Sequence, residues 1–414
     1  MFSGIGWKRI ALFLSVIGPG IITASVDNDA GGITTYTIAG AHFGFSLLWT
    51  LIPITIALVM VQEMGARMGV ITGKGLSDLI RENFGVRLTV LLILVLIVAN
   101  LGNTMANFAG VAASMEIFGV SKYIAVPIAA ALVWILVVKG THSIVEKIFL
   151  VASSFYVTYI ISGLLAHPDW GAVASKSVVP TINLDPGYIG MVIGLVGTTI
   201  APWMQFYIQS AVVEKGVKPS EYKYTKWDVI IGCMVTALVA FFIILTCAAT
   251  IFEKGLEVET AAEAALALVP LAGQYSGWLF AFGLFNASVF AASILPLATA
   301  YTVCEGMGWD SGIDKTFRDA PQFYALYTLL IVFGAAFILI PGAPLITIMV
   351  LSQVLNGMLL PFILVFMLLL VNNKKLMGSY TNGRIYNYFS WGLTIAMTLL
   401  TIVLVITSIF PGLI

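Results

Sequence analysis

The chain has 414 residues, and its 20 Lys and Arg balance 20 Asp and Glu, for a formal net charge of zero. Hydrophobic residues make up 60% and charged residues 10%, against about a quarter charged in soluble domains, and the mean hydropathy is +1.01. These values exclude a soluble globular domain and give no reason to expect a nucleic-acid partner. They predict an all-α integral membrane protein, one transmembrane domain over 1–414 with the lipid bilayer as its surroundings. Cys233, Cys247 and Cys304 fit no metal or disulfide spacing and read as small buried thiols. His42, His142 and His167 form no ligand cluster.

A spanning helix needs about 20 apolar residues. By that rule the predicted spans are 9–41, 46–66, 88–118, 123–138, 145–166, 187–213, 228–251, 276–304, 322–340, 344–371 and 387–411, eleven in all. Lys8-Arg9 before an apolar run resembles a signal peptide. The run passes Asp27 and Asp29 without a small-residue cleavage site, so it reads as a retained helix.

The first span is interrupted by Ser25-Val26-Asp27-Asn28-Asp29-Ala30-Gly31-Gly32. Two carboxylates at bilayer depth cost several kcal/mol by insertion scales, and the two glycines are poor helix formers. The stretch reads as a helix broken at mid-membrane, turning carbonyls and carboxylates toward a cation. Such backbone is tolerated only against protein or a water-filled cavity. A loop between two short helices, or acid–Arg pairs that only hold the fold, is the plainer alternative. No Lys or Arg lies in a mid-membrane stretch to neutralise these acids.

In the third span Asn100, Asn103, Thr104 and Asn107 recur at i, i+3, i+4 and i+7 and share one face. All are neutral, so the face holds water or bridges helices but carries no proton by side-chain titration. The sixth span repeats the interruption: Gly187, Gly194 and Gly197 lead into Thr198-Thr199-Ile200-Ala201-Pro202-Trp203, and Pro202 removes a backbone donor. Two broken helices five spans apart require halves of opposite topology, about 9–166 and 187–371, with an extra helix at about 387–411. Paired interruptions in an inverted repeat point to a transporter's central site. In the tenth span Gln353 and Asn356 share a face and offer amide oxygens, either to an ion and its water or to a neighbouring helix. The outer loop 252–275 carries Glu253, Glu257, Glu259 and Glu263, which either form a solvated face or concentrate cations.

Placing the N-terminus in the cytoplasm puts all of the 20 Lys and Arg except Lys122, Lys176 and Lys254 on the cytoplasmic side. The bias fixes the orientation and leaves the C-terminus extracytoplasmic.

With these residues in view, the chain resembles the Nramp divalent-metal transporters over nearly its whole length. Asp29-Ala30-Gly31-Gly32 stands where that family carries Asp-Pro-Gly-Asn. Ala39-Gly40-Ala41-His42-Phe43-Gly44-Phe45 and Leu47-Leu48-Trp49 follow at matching spacing. Ala66 to Lys74 and Leu351-Ser352-Gln353-Val354 are further similar stretches. The resemblance implies a LeuT-type 5+5 inverted repeat with helices 1 and 6 broken, moving against a scaffold of helices 3, 4, 8 and 9 by alternating access. Its register singles out Asp29 as the main carboxylate, with Asp27 and Asn28 beside it. Carbonyls near Thr198 and Ala201 and the Gln353 amide complete the set, mostly through water, with Asn28, Gly32, Trp203 and Asn356 around it.

The departures from the family are equally specific. Its helix 6 Met-Pro-His is Ala201-Pro202-Trp203 here, and its helix 1 Asn is Gly32. Its helix 3 acids align with Thr104 and Asn107, and its helix 6 His aligns with Trp203. The soft ligand and the titratable groups are gone, and the losses widen the site. The pattern is similar to the Nramp-related magnesium transporter branch. It implies uncoupled uptake of partly hydrated Mg²⁺, with Mn²⁺ also accepted, through the plasma membrane. The metal is cargo and no cofactor is expected. Oligomeric state stays open, a monomer being sufficient. The alternatives are a proton-coupled Mn²⁺/Fe²⁺ importer and a Na⁺-coupled organic-solute symporter. No nucleophile–base arrangement suggests an enzyme.

Overall fold

The first helix starts where a distant carboxylate collects its free donors. In the computed structural model, which describes residues 16–183, 185–342 and 345–409, helix α1 spans Pro19–Val26. The N–H groups of Gly18, Gly20 and Ile21 donate to the Asp228 carboxylate at 3.1, 2.6 and 3.3 Å. These are donors that a helix start leaves without intrahelical partners, and an acid there also meets the positive end of the helix dipole. Asp228 lies in the second turn of α12 (Tyr222–Thr250), so it caps a neighbouring helix and not its own. The two helices meet backbone to backbone. A Cβ on Gly20 would lie 2.6 Å from the Val229 nitrogen, and one on Gly232 would lie 2.6 Å from the Gly20 carbonyl oxygen.

After an interruption at 27–29 the chain resumes as α2 (Ala30–Phe43). A 3₁₀ stretch, Gly44–Thr50, then leads into α3 (Leu51–Thr72), which stops at Gly73 in the left-handed region that suits glycine (φ 65°). There follow α4 (Leu76–Phe84), α5 (Val86–Ile117), α6 (Lys122–Lys139), α7 (His142–Ser154) and α8 (Val157–Leu165). Next come α9 (Trp170–Val178), α10 (Pro186–Thr199) and α11 (Pro202–Glu214). Beyond α12 lie α13 (Ala261–Ala272), α14 (Gln274–Met307), α15 (Pro321–Leu339), α16 (Leu345–Val371), α17 (Lys374–Met377) and α18 (Arg384–Ile409). No strand occurs among the described residues.

Four short helices lie where only loops were expected. α4 falls between the second and third predicted spans, α9 and α13 fall within the outer loops 167–186 and 252–275, and α17 falls between the tenth and eleventh predicted spans. Each is too short to span, so a rule based on long apolar runs passes over it. α9 and α13 are capped locally: the Asp169 carboxylate accepts from Gly171 N–H at 2.9 Å, and Thr260 Oγ1 accepts from Glu263 N–H at 3.2 Å. The predicted span 145–166 is two helices, α7 and α8, with the irregular pair Phe155-Tyr156 between them. Among the described residues eight helices are long and apolar enough to cross a bilayer, or nine if the bent pair Leu355–Val371 and Lys374–Tyr380 is one span. Ala30–Thr72 enters that number as one length of 43 residues.

Polarity is arranged for lipid. Leu91, Val98, Leu132 and Phe362 are 61, 60, 60 and 64% exposed on the outside of long helices, which water would penalise and a bilayer does not. The polar side chains Asp27, Asn28, Asp29, Asn100, Asn103, Thr104, Asn107 and Asn356 are all buried inside. The three cysteines are free and buried.

Candidate functional site

Asp29 ends one interruption and starts the next helix. Its backbone is extended (φ −76°, ψ −178°) and it is the N-cap of α2. Its Oδ1 accepts from Gly32 N–H at 2.8 Å, and its Oδ2 accepts from Asn107 Nδ2 at 3.1 Å. Asn107, on α5, also donates to the Asn103 carbonyl at 2.8 Å and accepts Ala30 N–H through Oδ1 at 3.0 Å. Two acceptors around Nδ2 and a donor at Oδ1 fix which way its amide points.

The second interruption is built differently. α10 ends at Thr199, Ile200 and Ala201 leave helical geometry, and Pro202 opens α11. Ala201 has no side-chain oxygen to cap α11. α2 is tied to the end of α10 by Tyr36 Oη and Thr199 Oγ1, 2.7 Å apart. Tyr156, at the kink between α7 and α8, donates to the Asn28 carbonyl at 3.1 Å.

Both interruptions face one cavity. Val26, Asp27 and Asp29 line it from the first, and Thr198, Ala201 and Trp203 from the second. Asn103 of α5 and Asn356 of α16 complete the wall. Among the described residues, both carboxylate oxygens of Asp27 and the amide oxygens of Asn103 and Asn356 are buried without a hydrogen-bond partner. Among the described residues no ion pair reaches either aspartate; the ion pairs lie elsewhere in the chain. An unpaired buried carboxylate costs several kcal/mol, and each unsatisfied amide about 1–3 kcal/mol. The cavity therefore has acceptors in excess and cations absent from its own walls. Neither sulfur nor imidazole lines it, and no group of three or more His, Cys, Asp or Glu occurs among the described residues.

The cavity brings together most, but not all, of the expected residues. Asp27, Asp29, Thr198, Ala201, Trp203 and Asn356 line it. Asn28 lies beside it, donating to the Thr236 carbonyl at 3.4 Å, with its own Oδ1 unpartnered. Gln353 falls on α16, but its side chain lies outside the described residues. Thr104 is not in the wall: its hydroxyl donates to the Asn100 carbonyl, and its methyl sits where a Cβ on Gly334 would come within 2.7 Å. Asn107 is one layer back, through Asp29. Asn103 was read only as part of a polar face and turns out to line the cavity. Its signal was its spacing, one turn before Asn107.

The room expected beside Gly32 and Ala201 is small in this structure. The cavity has ≈ 10 Å³ open to a water centre, room for about one water. Trp203 takes wall space beside the small Ala201. At Gly32 the room is already used, since a Cβ there would lie 2.6 Å from the Asp27 carbonyl oxygen.

A larger cavity of ≈ 420 Å³ lies between α2, α10, α16 and α18, with Gly187, Gly190, Gly194 and Gly197 as its α10 wall. Thr198 lines both cavities. The far end of α11 is tied down. Glu214 accepts Ile313 N–H at 2.5 Å and the Tyr301 hydroxyl, while Lys215 Nζ reaches Glu146 Oε1 at 2.5 Å and the Ile17 carbonyl at 2.7 Å.

The chain is similar to known proteins over nearly its whole length. The chain is 27% identical over 382 residues to a divalent metal cation transporter MntH of Yersinia pestis, covering 90% of each chain. It is 25% identical over 400 residues to the MntH of Deinococcus radiodurans, covering 93% of this chain and 87% of that one. Its fold matches the crystal structure of the Eremococcus coleocola manganese transporter with a TM-score of 0.81 at 20% identity, over 96% of this chain and 86% of that one. The sequence profile of the Nramp family, natural resistance-associated macrophage protein-like, matches residues 20–407, and the chain belongs to that family.

Proposed function

We propose that the protein carries divalent metal cations across the membrane, and that Mg²⁺ is its principal cargo, with Mn²⁺ also accepted. One observation carries this reading: four unpartnered oxygens, from Asp27, Asn103 and Asn356, around one cavity without sulfur or imidazole. Hard cations take oxygen ligands, and Mg²⁺ is held through one or two carboxylates while keeping several waters. Asp27 and Asp29 supply two charges for a divalent ion. Thr198, the Ala201 carbonyl, Asn356 and Gln353 contribute oxygens, and Asn28, Gly32 and Trp203 shape the surroundings. The loaded site is wider than the ≈ 10 Å³ cavity, because the ion keeps part of its water.

In this reading α1 with α2, and α10 with α11, are the two broken spans of eleven in a LeuT-type 5+5 repeat. The large cavity opens to the outside, and the ties of Glu214 and Lys215 close the cytoplasmic end. The broken spans rock to alternate access, and the C-terminus lies outside the plasma membrane. With Thr104, Asn107 and Trp203 uncharged, no proton accompanies the ion. An interior-negative potential then favours uptake by about 2.3 kcal/mol per charge per 100 mV, twice that for a divalent ion.

A proton-coupled Mn²⁺ carrier is the second reading, favoured by the MntH and manganese-transporter relatives. Uptake of Mg²⁺, Mn²⁺ and Ca²⁺ into proteoliposomes, with lumenal pH recorded in the same run, separates the two. Mg²⁺ flux without acidification is expected. Mn²⁺ flux with acidification and no Mg²⁺ flux would overturn the reading.

A further inference from the structure

Four polar residues share the inner face of α5, and three of them bond through their side chains, Asn100 with its Nδ2 only and its Oδ1 left unpartnered. Asn100 Nδ2 donates to Thr299 Oγ1 at 2.8 Å, Thr104 donates to the Asn100 carbonyl at 2.8 Å, and Asn107 bonds to Asp29, Ala30 and Asn103. Asn103 is the exception. Its side chain makes no hydrogen bond among the described residues, it is 1% exposed, and its Oδ1 is unpartnered in the wall of the cavity that Asp27 and Asn356 also line. A buried amide without partners is costly to keep, and an alkyl side chain of similar volume would pack there without that penalty. Among the described residues it bridges no helices.

We infer that Asn103 is a specificity-determining residue for the cargo ion: its amide oxygen holds a water that the ion retains on the α5 side of the site. This rests on the transport reading above and adds a residue to it. The chemistry favours an amide over the alternatives. Asp27 and Asp29 already match the charge of a divalent ion. A third carboxylate would bind the ion directly and favour Ca²⁺, which accepts more carboxylate oxygens in looser geometry than Mg²⁺. An amide adds no charge, and its oxygen accepts from a metal-bound water without replacing it. Partners outside the inner coordination sphere of a metal change affinity by about 10- to 100-fold when removed.

The test measures Mg²⁺, Mn²⁺ and Ca²⁺ uptake as KM and maximal rate in proteoliposomes, with Mg²⁺ binding to the detergent-solubilised protein followed by calorimetry. Asn103→Leu is expected to raise KM for Mg²⁺ about 10- to 100-fold with the maximal rate little changed, and to lower the Mg²⁺/Mn²⁺ ratio. Asn103→Thr, which keeps an oxygen, restores most of the Mg²⁺ affinity. Asn103→Asp raises Ca²⁺ uptake relative to Mg²⁺. If Asn103→Leu fails to fold, Asn103→Ala takes its place with the same expectation. A folded Asn103→Leu or Asn103→Ala with the parent's KM and ion ratios would overturn the inference. Asp27→Asn and Asp29→Asn in the same assay separate the two levels. If they transport as the parent does, the site itself is misplaced; if they are inactive while Asn103 variants match the parent, only the role of Asn103 falls.

Discussion

Asn107 grips the chain on both sides of the Asp29–Ala30 peptide. Its Nδ2 donates to the Asp29 carboxylate at 3.1 Å, and its Oδ1 accepts the Ala30 N–H at 3.0 Å. One neutral side chain thus fixes both the carboxylate that caps α2 and the first amide of that helix. A carboxylate at 107 would face Asp29 without a proton between them, and an alkyl group would free both partners.

Asn107→Ala is accordingly expected to destabilise the protein by about 1–3 kcal/mol, the cost of leaving buried partners unsatisfied, and to reduce metal uptake. Asn107→Asp should be at least as damaging to uptake near neutral pH, because it places a like charge beside Asp29. Thermal melting in detergent and uptake in proteoliposomes check both. An Asn107→Ala protein with the parent's melting point and flux would contradict the assignment.

Asp27 supports an opposite pair of effects. Its two oxygens are buried without partners, so the charge is a burden to the empty protein. Asp27→Asn should melt at higher temperature than the parent in a chelator, since an unpaired buried charge costs several kcal/mol. The same variant should lose most of its Mg²⁺ binding. Unchanged stability together with unchanged binding would show that Asp27 does not face the ion.

Ala201→Met tests ion choice from the other interruption. A thioether in the cavity wall suits softer metals than Mg²⁺, and it fills space beside Trp203. Mg²⁺ uptake should fall relative to Mn²⁺ and Cd²⁺, with a stability cost of about 1–3 kcal/mol from overpacking. Competition between the three ions in one uptake assay reads the change directly.

Asp228→Ala addresses the scaffold. It removes the acceptor of three backbone N–H groups, from Gly18, Gly20 and Ile21. Loss of about 2 kcal/mol is expected, the upper range for a helix cap. Asp228→Asn, which retains one acceptor oxygen, should lose less. Chemical denaturation of the two variants orders them, and equal stability of all three proteins would refute the capping role.

Much of this was written in the spacing of residues. Acids and glycines inside an apolar run placed the first interruption at Asp27 to Gly32, and Pro202 placed the second, because neither pattern suits an unbroken membrane helix. The i, i+3, i+4, i+7 face of α5 was equally plain. Its division of labour was not: Asn107 holds Asp29, Thr104 packs beside Gly334, and Asn103 lines the cavity. Periodicity gives a face, and only the packing of neighbouring helices decides which residue on that face meets which partner. For the same reason the small Ala201 and Gly32 suggested a wide site. The space near them is governed by Trp203 and by the Asp27 carbonyl, the latter contributed by backbone that no composition reveals. Short helices such as α9 and α13 escaped because their signals are caps, not long apolar runs.

α1 and α2 both pack on α12, where a Cβ on Gly40 of α2 would lie 2.4 Å from the Ile244 carbonyl oxygen. α1 is bound to α12 through Asp228, Gly20 with Gly232, and Thr236 with the Ala24 carbonyl. α2 is bound to α5 through Asn107. The three residues 27–29 therefore join two helices that rest on one common partner, the second of them also held from α5. The two aspartates sit at opposite ends of that joint, so the spacing of their carboxylates is dictated by how α1 and α2 lie on α12 and by the Asn107 clamp, a property of the packing around the joint and not of the three residues alone.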